Sequence, residues 1–256
     1  MKVVILAGGY GTRLSEETSL VPKPLIEIAG KPLLWYIMKT YAYWGFNDFV
    51  IAAGYKSEKI KSYFASLSMA SDDFKVDVST GKVETLKKNA PDWKVTVVDT
   101  GIDTMTGGRI KRAAEYIKDD TFMLTYGDGV SDINIKKLLD FHNKHGKMAT
   151  LTAVRMPRFG ILEMDGDLVT SFQEKRLERS PFINGGYMVL SKKVLKYIEG
   201  DEMPFETFPL QQLSEDGELC AYKYEGFWKC VDTLKDKKDL EKILEKRERV
   251  ADVWKV

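Results

Sequence analysis

The sequence predicts an α/β fold, with a mixed, mainly parallel sheet and helices on both faces. An apolar run, Val3-Val4-Ile5, opens the chain and leads directly into glycines. Short β-branched runs then alternate with stretches of helical periodicity from Val3 to Val154. No Pro/Ser-rich linker or low-complexity tract divides the 256 residues, so one domain with one large core is expected. Strand and helix in alternation require right-handed crossovers that place helices over both faces of the sheet.

Each element has its own signal. Pro32 suits the first position of a helix whose apolar stripe is Leu33, Leu34, Ile37, Met38 and Tyr41, ending at Gly45. Phe49 to Ala53 reads as a buried strand. Ser57 is placed to cap the next helix, with its stripe at Ile60, Tyr63, Phe64 and Leu67. Residues 70–92 lack clear periodicity apart from Phe74 to Val78 and read as an insertion covering a ligand or meeting a neighbouring subunit. Val95 to Val98, Phe122 to Thr125 and Ala149 to Val154 read as strands, and Ile110 to Ile117 and Ile133 to His145 as helices. Ile161 to Met164 and Leu168 to Phe172 flank Asp165-Gly166-Asp167 as a hairpin. Leu240 to Lys246 reads as a charged terminal helix with a solvated face. The whole is Rossmann-like, and ligands on such sheets bind beyond the carboxyl ends of the strands.

Composition excludes several function classes. Lys+Arg 39 against Asp+Glu 38 gives no global pull toward nucleic acid or membrane. No apolar run approaches the roughly 20 residues a membrane span needs, so a cytoplasmic protein is expected. Cys220 and Cys230 form no metal-spacing motif and read as free core thiols. His142 and His145 lie on one helix without a third ligand and read as surface residues.

Leu6-Ala7-Gly8-Gly9-Tyr10-Gly11-Thr12-Arg13-Leu14 follows the first strand and is continued by Pro22-Lys23-Pro24. Glycines at that place let bare backbone N–H groups approach phosphate oxygens, with Arg13 and Lys23 as countercharge. The dinucleotide pattern is excluded because Leu14 stands where its third glycine belongs. A P-loop is excluded because Gly11-Thr12-Arg13 lacks its lysine, and Pro22 and Pro24 argue for extended chain. Taken singly, Asp128 between glycines reads as a turn former, Asp232 as a neighbour or cap of the last helix, and Trp228 as core. Gly107-Gly108 permits close backbone approach to a ligand, with Arg109 as a nucleotide contact or a surface charge.

Leu6 to Leu14 with Lys23 resembles the signature of nucleotidyltransferases that join a nucleoside triphosphate to a sugar 1-phosphate. Thr100-Gly101, Met105-Thr106-Gly107-Gly108-Arg109, Tyr126-Gly127-Asp128-Gly129, Ser171 to Lys175, Asn184-Gly185-Gly186, and Phe227-Trp228 with Asp232 resemble the glucose-1-phosphate cytidylyltransferase branch. The likeness runs essentially end to end.

The resemblance implies the nucleotide-diphospho-sugar transferase fold, with residues 1–130 mainly for nucleotide and a hairpin/helix subregion, residues 150–235, mainly for the acceptor. It implies CMP transfer from Mg²⁺-CTP with release of pyrophosphate. Nucleotide contacts fall on Leu6, Ala7, Gly8, Gly9, Gly11, Thr12, Arg13, Lys23, Thr100, Gly101, Thr106, Arg109 and Gly127. Acceptor contacts fall on Tyr126, Glu174, Lys175, Asn184, Gly185 and Trp228. Arg13, Lys23, Asp128 and Asp232 are the expected catalytic set, the two aspartates holding Mg²⁺. A homo-oligomer is the expected assembly. The chain departs from the family where Arg176 replaces a usual proline after Glu174-Lys175. Arg176 and Glu178 could pair with an ammonium and a carboxylate, so a phosphorylated amino-acid amide such as L-glutamine phosphate, used in modifying a surface polysaccharide, stands beside α-D-glucose 1-phosphate as acceptor. A nucleotide-binding regulatory module without turnover is the reading from another class. It has no need of Lys23 together with both aspartates.

Overall fold

The computed structural model describes residues 1–156, 161–173, 181–245 and 252–254. Strand β1 (Val3–Ala7) passes into the glycine loop, a 3-10 turn at Thr12–Leu14 and a short helix α1 (Ser15–Thr18). A small antiparallel pair, β2 (Glu27–Ile28) and β3 (Lys31–Pro32), precedes α2 (Leu33–Tyr43). Then come β4 (Asp48–Ala53), α3 (Ser57–Ser71), a hairpin of β5 (Asp73–Asp77) and β6 (Lys82–Lys87), and β7 (Lys94–Asp99). They lead into α4 (Thr106–Ala113), β8 (Thr121–Tyr126), β9 (Gly129–Ser131), α5 (Ile135–His145) and β10 (Ala149–Arg155). The remainder is a hairpin of β11 (Ile161–Asp165) and β12 (Leu168–Gln173), then β13 (Phe182–Ser191), α6 (Phe208–Glu215), β14 (Leu219–Tyr224), β15 (Trp228–Cys230) and α7 (Leu234–Glu245).

Seven strands form the central sheet in the order β14-β10-β13-β8-β1-β4-β7. Pairs β1–β4, β1–β8, β4–β7 and β10–β14 are parallel, and β13 alone runs against both its neighbours. Successive strand residues point to opposite faces, so the apolar runs feed two cores. Val3, Ile5, Phe49 and Ile51 pack with α2, Ile60 of α3, Leu138 of α5 and Leu240 of α7. Val4, Leu6, Val50 and Ala52 pack with Ile110 of α4 and Leu213 of α6. Helices on both faces are therefore a direct result of runs that are apolar at every position.

Several local expectations are corrected. Pro32 is extended, with ψ 147, and the helix begins at Leu33. Lys56, in the left-handed region at φ 52, precedes α3, and Ser57 is its first residue, donating to Asp99 Oδ2 at 2.7 Å rather than capping. After extended Pro22, Lys23–Leu25 closes a 3-10 turn instead of staying extended. Residues 70–92 contain the β5–β6 hairpin, whose Phe74, Val76 and Val83 share one exposed side while Lys75–Glu84 and Asp77–Lys82 pair on the other. His142 is buried rather than on the surface: its Nδ1 and His145 Nε2 converge on the Thr150 hydroxyl at 2.8 and 2.7 Å. Burial, with the charge of His145, pushes His142 down to about 4.

The Met105 to Arg109 segment is the first turn of α4, and its glycines face protein. A Cβ on Gly107 would lie 2.5 Å from Met203 O, and one on Gly108 2.6 Å from Asp201 Cα. Their smallness lets the backbone of residues 201–203 close onto the helix, where Met105 N donates to Asp201 O at 2.7 Å and Gly107 N to Met203 O at 2.9 Å. Gly107→Ala should therefore cost about 1–3 kcal/mol by overpacking against a backbone atom, read as a shifted midpoint in urea. An unshifted midpoint would show that the glycine is not there for packing.

Candidate active site

The carboxyl ends of β1 and β8 and the loop after β7 surround a cleft of about 510 Å³. Leu6 to Arg13, Lys23 and Pro24 form one wall, Ile102 to Thr106 with Arg109 another, and Tyr126, Gly127 and Asp128 the floor between them. Thus the glycine loop, the Met-Thr-Gly-Gly-Arg segment and the Tyr-Gly-Asp segment do meet.

At the base of the cleft, β9 pairs antiparallel with β15, Gly129 opposite Cys230, and Val231 N donates to Asp128 O at 2.9 Å. That ladder carries Asp232 to Asp128 from the far end of the chain. Lys23 Nζ lies between them, 2.9 Å from Asp128 Oδ2 and 2.7 Å from Asp232 Oδ1. Arg13 NH1 closes on the other Asp232 oxygen at 2.5 Å. Lys23 is 11% exposed at its side chain and Arg13 65%, so the lysine is an internal cation and the arginine an exposed one. Burial works against the charge on Lys23, yet Asp128 and Asp232 outweigh it and hold the lysine above its ordinary pKa. Burial also opposes the charge on Asp232. The bond and charge of Lys23, then Arg13 and a bond from Cys230, still draw its carboxyl below the usual range.

Donor atoms of Asp128, Cys230 and Asp232 all lie within 4.8 Å of one another. Burial first, then the two flanking carboxylates, push the Cys230 thiol well up, so it is the softest and least charged of the three donors. What is left is a pair of hard oxygen donors, the set a divalent cation such as Mg²⁺ accepts while keeping water and phosphate ligands. Cys230 was read as inert core, although the two-residue spacing to Asp232 puts both on one side of an extended segment.

The glycine loop divides its work. A Cβ on Gly8 would sit 2.1 Å from Arg109 NH1, and one on Gly54 2.3 Å from the same nitrogen. Both positions are empty of side chain so that Arg109 can enter. Its guanidinium, 4% exposed, donates to Gly8 O, Gly101 O, Ile102 O and Thr100 Oγ1 at 2.7 to 3.1 Å. Arg109 thereby staples the β1, β4 and β7 loops together, and burial lowers its pKa. Gly11 adopts φ +66, and Gly9 faces open space. Only Gly9 has the free backbone approach expected of all three.

Other predicted residues are placed as follows. Thr12 and Thr106 line the cleft. Thr100 is fully buried under Arg109, with its hydroxyl on Ala53 O at 2.6 Å, and Gly101 holds Arg109 rather than the cleft wall. Asn184 Oδ1 accepts from Gly186 N at 2.9 Å and its Nδ2 lies 3.5 Å from Tyr126 Oη. Trp228 Nε1 donates to Gly185 O at 2.7 Å, which makes the indole a support for that segment. Glu174 and Lys175 lie outside the described residues. Sequence reasoning missed Tyr10 and Asp103, which reach across the cleft with the tyrosine hydroxyl donating at 2.8 Å, and Glu206, which accepts from Tyr126. Tyr10 stood inside the glycine motif. Asp103 and Glu206 carried no signal.

The model of the family described as Nucleotidyl transferase matches residues 2–246. A "Glucose-1-phosphate cytidylyltransferase" of Salmonella typhi is 50% identical, covering 99% of this chain and 100% of that protein. A "Probable glucose-1-phosphate cytidylyltransferase" of Bacillus subtilis is 45% identical over 99% of this chain and 100% of its own length. Among solved structures, that of HddC from Yersinia pseudotuberculosis matches with TM-score 0.70 and 26% identity, over 95% of this chain and 99% of that one.

Replacing Lys23 by methionine leaves Asp128 without the lysine and Asp232 with the exposed Arg13, a loss of about 1–3 kcal/mol for a partly buried charged hydrogen-bonded group. The pH dependence follows from the shifts. Asp232, held low, contributes fully above the ordinary carboxylate value and loses its contribution as pH falls through its folded value. Lys23, held high, contributes fully below the ordinary lysine value and loses it only as pH rises through its own. The urea midpoints of wild type and Lys23→Met should therefore differ most near neutrality and draw together as pH falls through the folded value of Asp232. A constant gap down to acid would remove the clamp as its cause.

Proposed function

Given that the chain belongs to the nucleotidyl transferase family, we propose that it transfers CMP from CTP to α-D-glucose 1-phosphate, giving CDP-glucose and pyrophosphate. The observation that carries this is the convergence of Lys23, Asp128 and Asp232 beside the glycine loop, in a chain whose full-length relatives bear the cytidylyltransferase name. Those relatives favour glucose 1-phosphate over a phosphorylated amino-acid amide. A module that only bound nucleotide would have no reason to gather this charge.

The acceptor needs no general base. The second pKa of a phosphate monoester is about 6, so its oxygen is already an anionic nucleophile. That oxygen attacks the α-phosphorus of CTP, a new P–O bond forms, and the α–β anhydride bond breaks with pyrophosphate leaving in line. Several negative charges are pressed together, so positioning and countercharge supply most of the rate. Asp128 and Asp232 would hold Mg²⁺, which when bound would supply neutralisation of phosphate charge. Lys23, anchored between the aspartates, meets the α-phosphate as charge develops. Arg13, exposed and loosely tethered to Asp232, turns to the leaving pyrophosphate as a planar fork. Gly9 and Thr12 offer the phosphates the open loop backbone, while Arg109 keeps that loop in shape. Residues 1–130 serve mainly the nucleotide and residues 150–235 mainly the acceptor, within one domain. The roles given to Glu174 as partner of acceptor hydroxyls and to Lys175 as holder of the acceptor phosphate rest on the sequence motif alone.

The exposed side of the β5–β6 hairpin, with Phe74, Val76 and Val83, is the surface assigned to contact between copies in a homo-oligomer. Val83→Asp should lower the mass read by light scattering, and an unchanged mass would move the interface elsewhere.

The decisive assay is pyrophosphate release from CTP with a panel of phosphorylated acceptors. Glucose 1-phosphate should support it, and Asp128→Asn should slow it by about 100-fold or more, in the range for lost transition-state electrostatics. Release supported only by L-glutamine phosphate would reverse the acceptor, and no acceptor-dependent release would return the protein to the binding-module class.

A further inference from the structure

Glu206 belongs to no motif, yet it joins the two sides of the cleft. One carboxylate oxygen accepts from Tyr126 Oη at 2.5 Å and the other from Thr106 Oγ1 at 2.6 Å. Tyr126 and Thr106 both line the cleft. The backbone beneath Glu206 is held without its carboxylate: Phe205 N donates to Thr106 Oγ1 at 2.8 Å, and Asp201 is bound by Arg112 at 2.5 Å.

A phenol and an alcohol each carry one proton, and here both protons go to the same acid. Tyr126 Oη and Thr106 Oγ1 are left with lone pairs only. Thr106 spends one on Phe205 N, and Tyr126 has Asn184 Nδ2 at 3.5 Å. Burial and the charge of Glu206 hold the Tyr126 phenol far above its ordinary pKa, so the arrangement persists at working pH.

We propose that Glu206 is a positioning residue that sets the polarity of the acceptor pocket: it turns Tyr126 into an obligate hydrogen-bond acceptor, aimed at a hydroxyl of the sugar phosphate. The ligand selected is a polyhydroxylated phosphate, whose O–H groups donate. This rests on the reading of the acceptor as a sugar phosphate. Without Glu206 the phenol proton is free to rotate, and the fixed acceptor orientation that meets a donating sugar hydroxyl is lost.

Steady-state kinetics of Glu206→Ala, Glu206→Gln, Tyr126→Phe and the Ala/Phe double variant, with calorimetric CTP affinity, test this. Glu206→Ala should raise the KM for glucose 1-phosphate about tenfold, the worth of one oriented hydrogen bond. The CTP dissociation constant should rise much less than that KM, because Phe205 N still holds the Thr106 hydroxyl when Glu206 is removed. Glu206→Gln, which keeps one acceptor oxygen, should fall between. Tyr126→Phe should match Glu206→Ala, and the double variant should be no worse than either, because both remove one device. Equal weakening toward both substrates, or additive losses in the double variant, would reduce Glu206 to a structural tie and overturn the proposal while leaving the proposed reaction intact. A wild-type chain that releases no pyrophosphate with glucose 1-phosphate would overturn both.

Discussion

The site depends on one cation holding two anions. Asp128 ends the turn after β8 and Asp232 follows β15, and the β9–β15 ladder brings them together from distant parts of the chain. Two carboxylates at such a distance repel strongly where water is scarce, so each needs the opposite charge that Lys23 supplies. The lysine in turn sits in a turn fixed by Pro22 and Pro24, which commits its position before any ligand arrives. Chain entropy set against a salt bridge would leave this contact weak on a surface; partial burial and the β9–β15 ladder make it persistent. The charges assembled for the fold are those the reaction demands. In the proposed reaction, phosphates and a divalent cation would exchange partners with a cluster already balanced, rather than entering an uncompensated one.

A second cation performs the analogous task at the other wall. Arg109 binds Gly8 O, Gly101 O, Ile102 O and the Thr100 hydroxyl with one guanidinium, tying the loops after β1 and β7 together. The glycines at positions 8 and 54 are the space it needs. A rigid loop costs less to order when a triphosphate binds, so Arg109 acts on affinity through the loop as well as from the cleft wall it lines.

How much was legible in the sequence follows from the range of the interaction. Strands apolar at every position announce a sheet buried on both faces, and the carboxyl-end rule then locates the loops. The use made of each glycine was not legible, because a missing Cβ records only that something comes close. At Gly107 and Gly108 it is the backbone of residues 201–203, and at Gly8 it is Arg109. Strand β13 was hidden by Asn184-Gly185-Gly186, a poor strand composition made tolerable by Trp228 bonding Gly185 and Tyr126 packing over Gly186. His142 was misplaced because its partner, Thr150, comes from a strand rather than from its own helix. Glu206 has no local pattern at all: both its partners lie 80 or more residues away.

The reversed strand explains how an acceptor side can be built without a second domain. Parallel strands deliver only their carboxyl ends to the cleft edge, and the loops after β1, β7 and β8 fill that edge. Because β13 runs against β8, with Met188 opposite Leu124 and Ser191 opposite Thr121, its amino end lies level with Tyr126. The residues that enter the sheet there, Asn184 and Gly185, stand beside the residues that leave it, Tyr126 and Gly127. Reversing one strand thus brings material from late in the chain to the rim that the early strands define. It does so inside the sheet, where backbone hydrogen bonds fix the register. Tyr126 becomes the hinge of the design: it closes β8, packs on Gly186 of β13, lines the cleft and meets Glu206. A substrate on either side of it is read against one rigid reference.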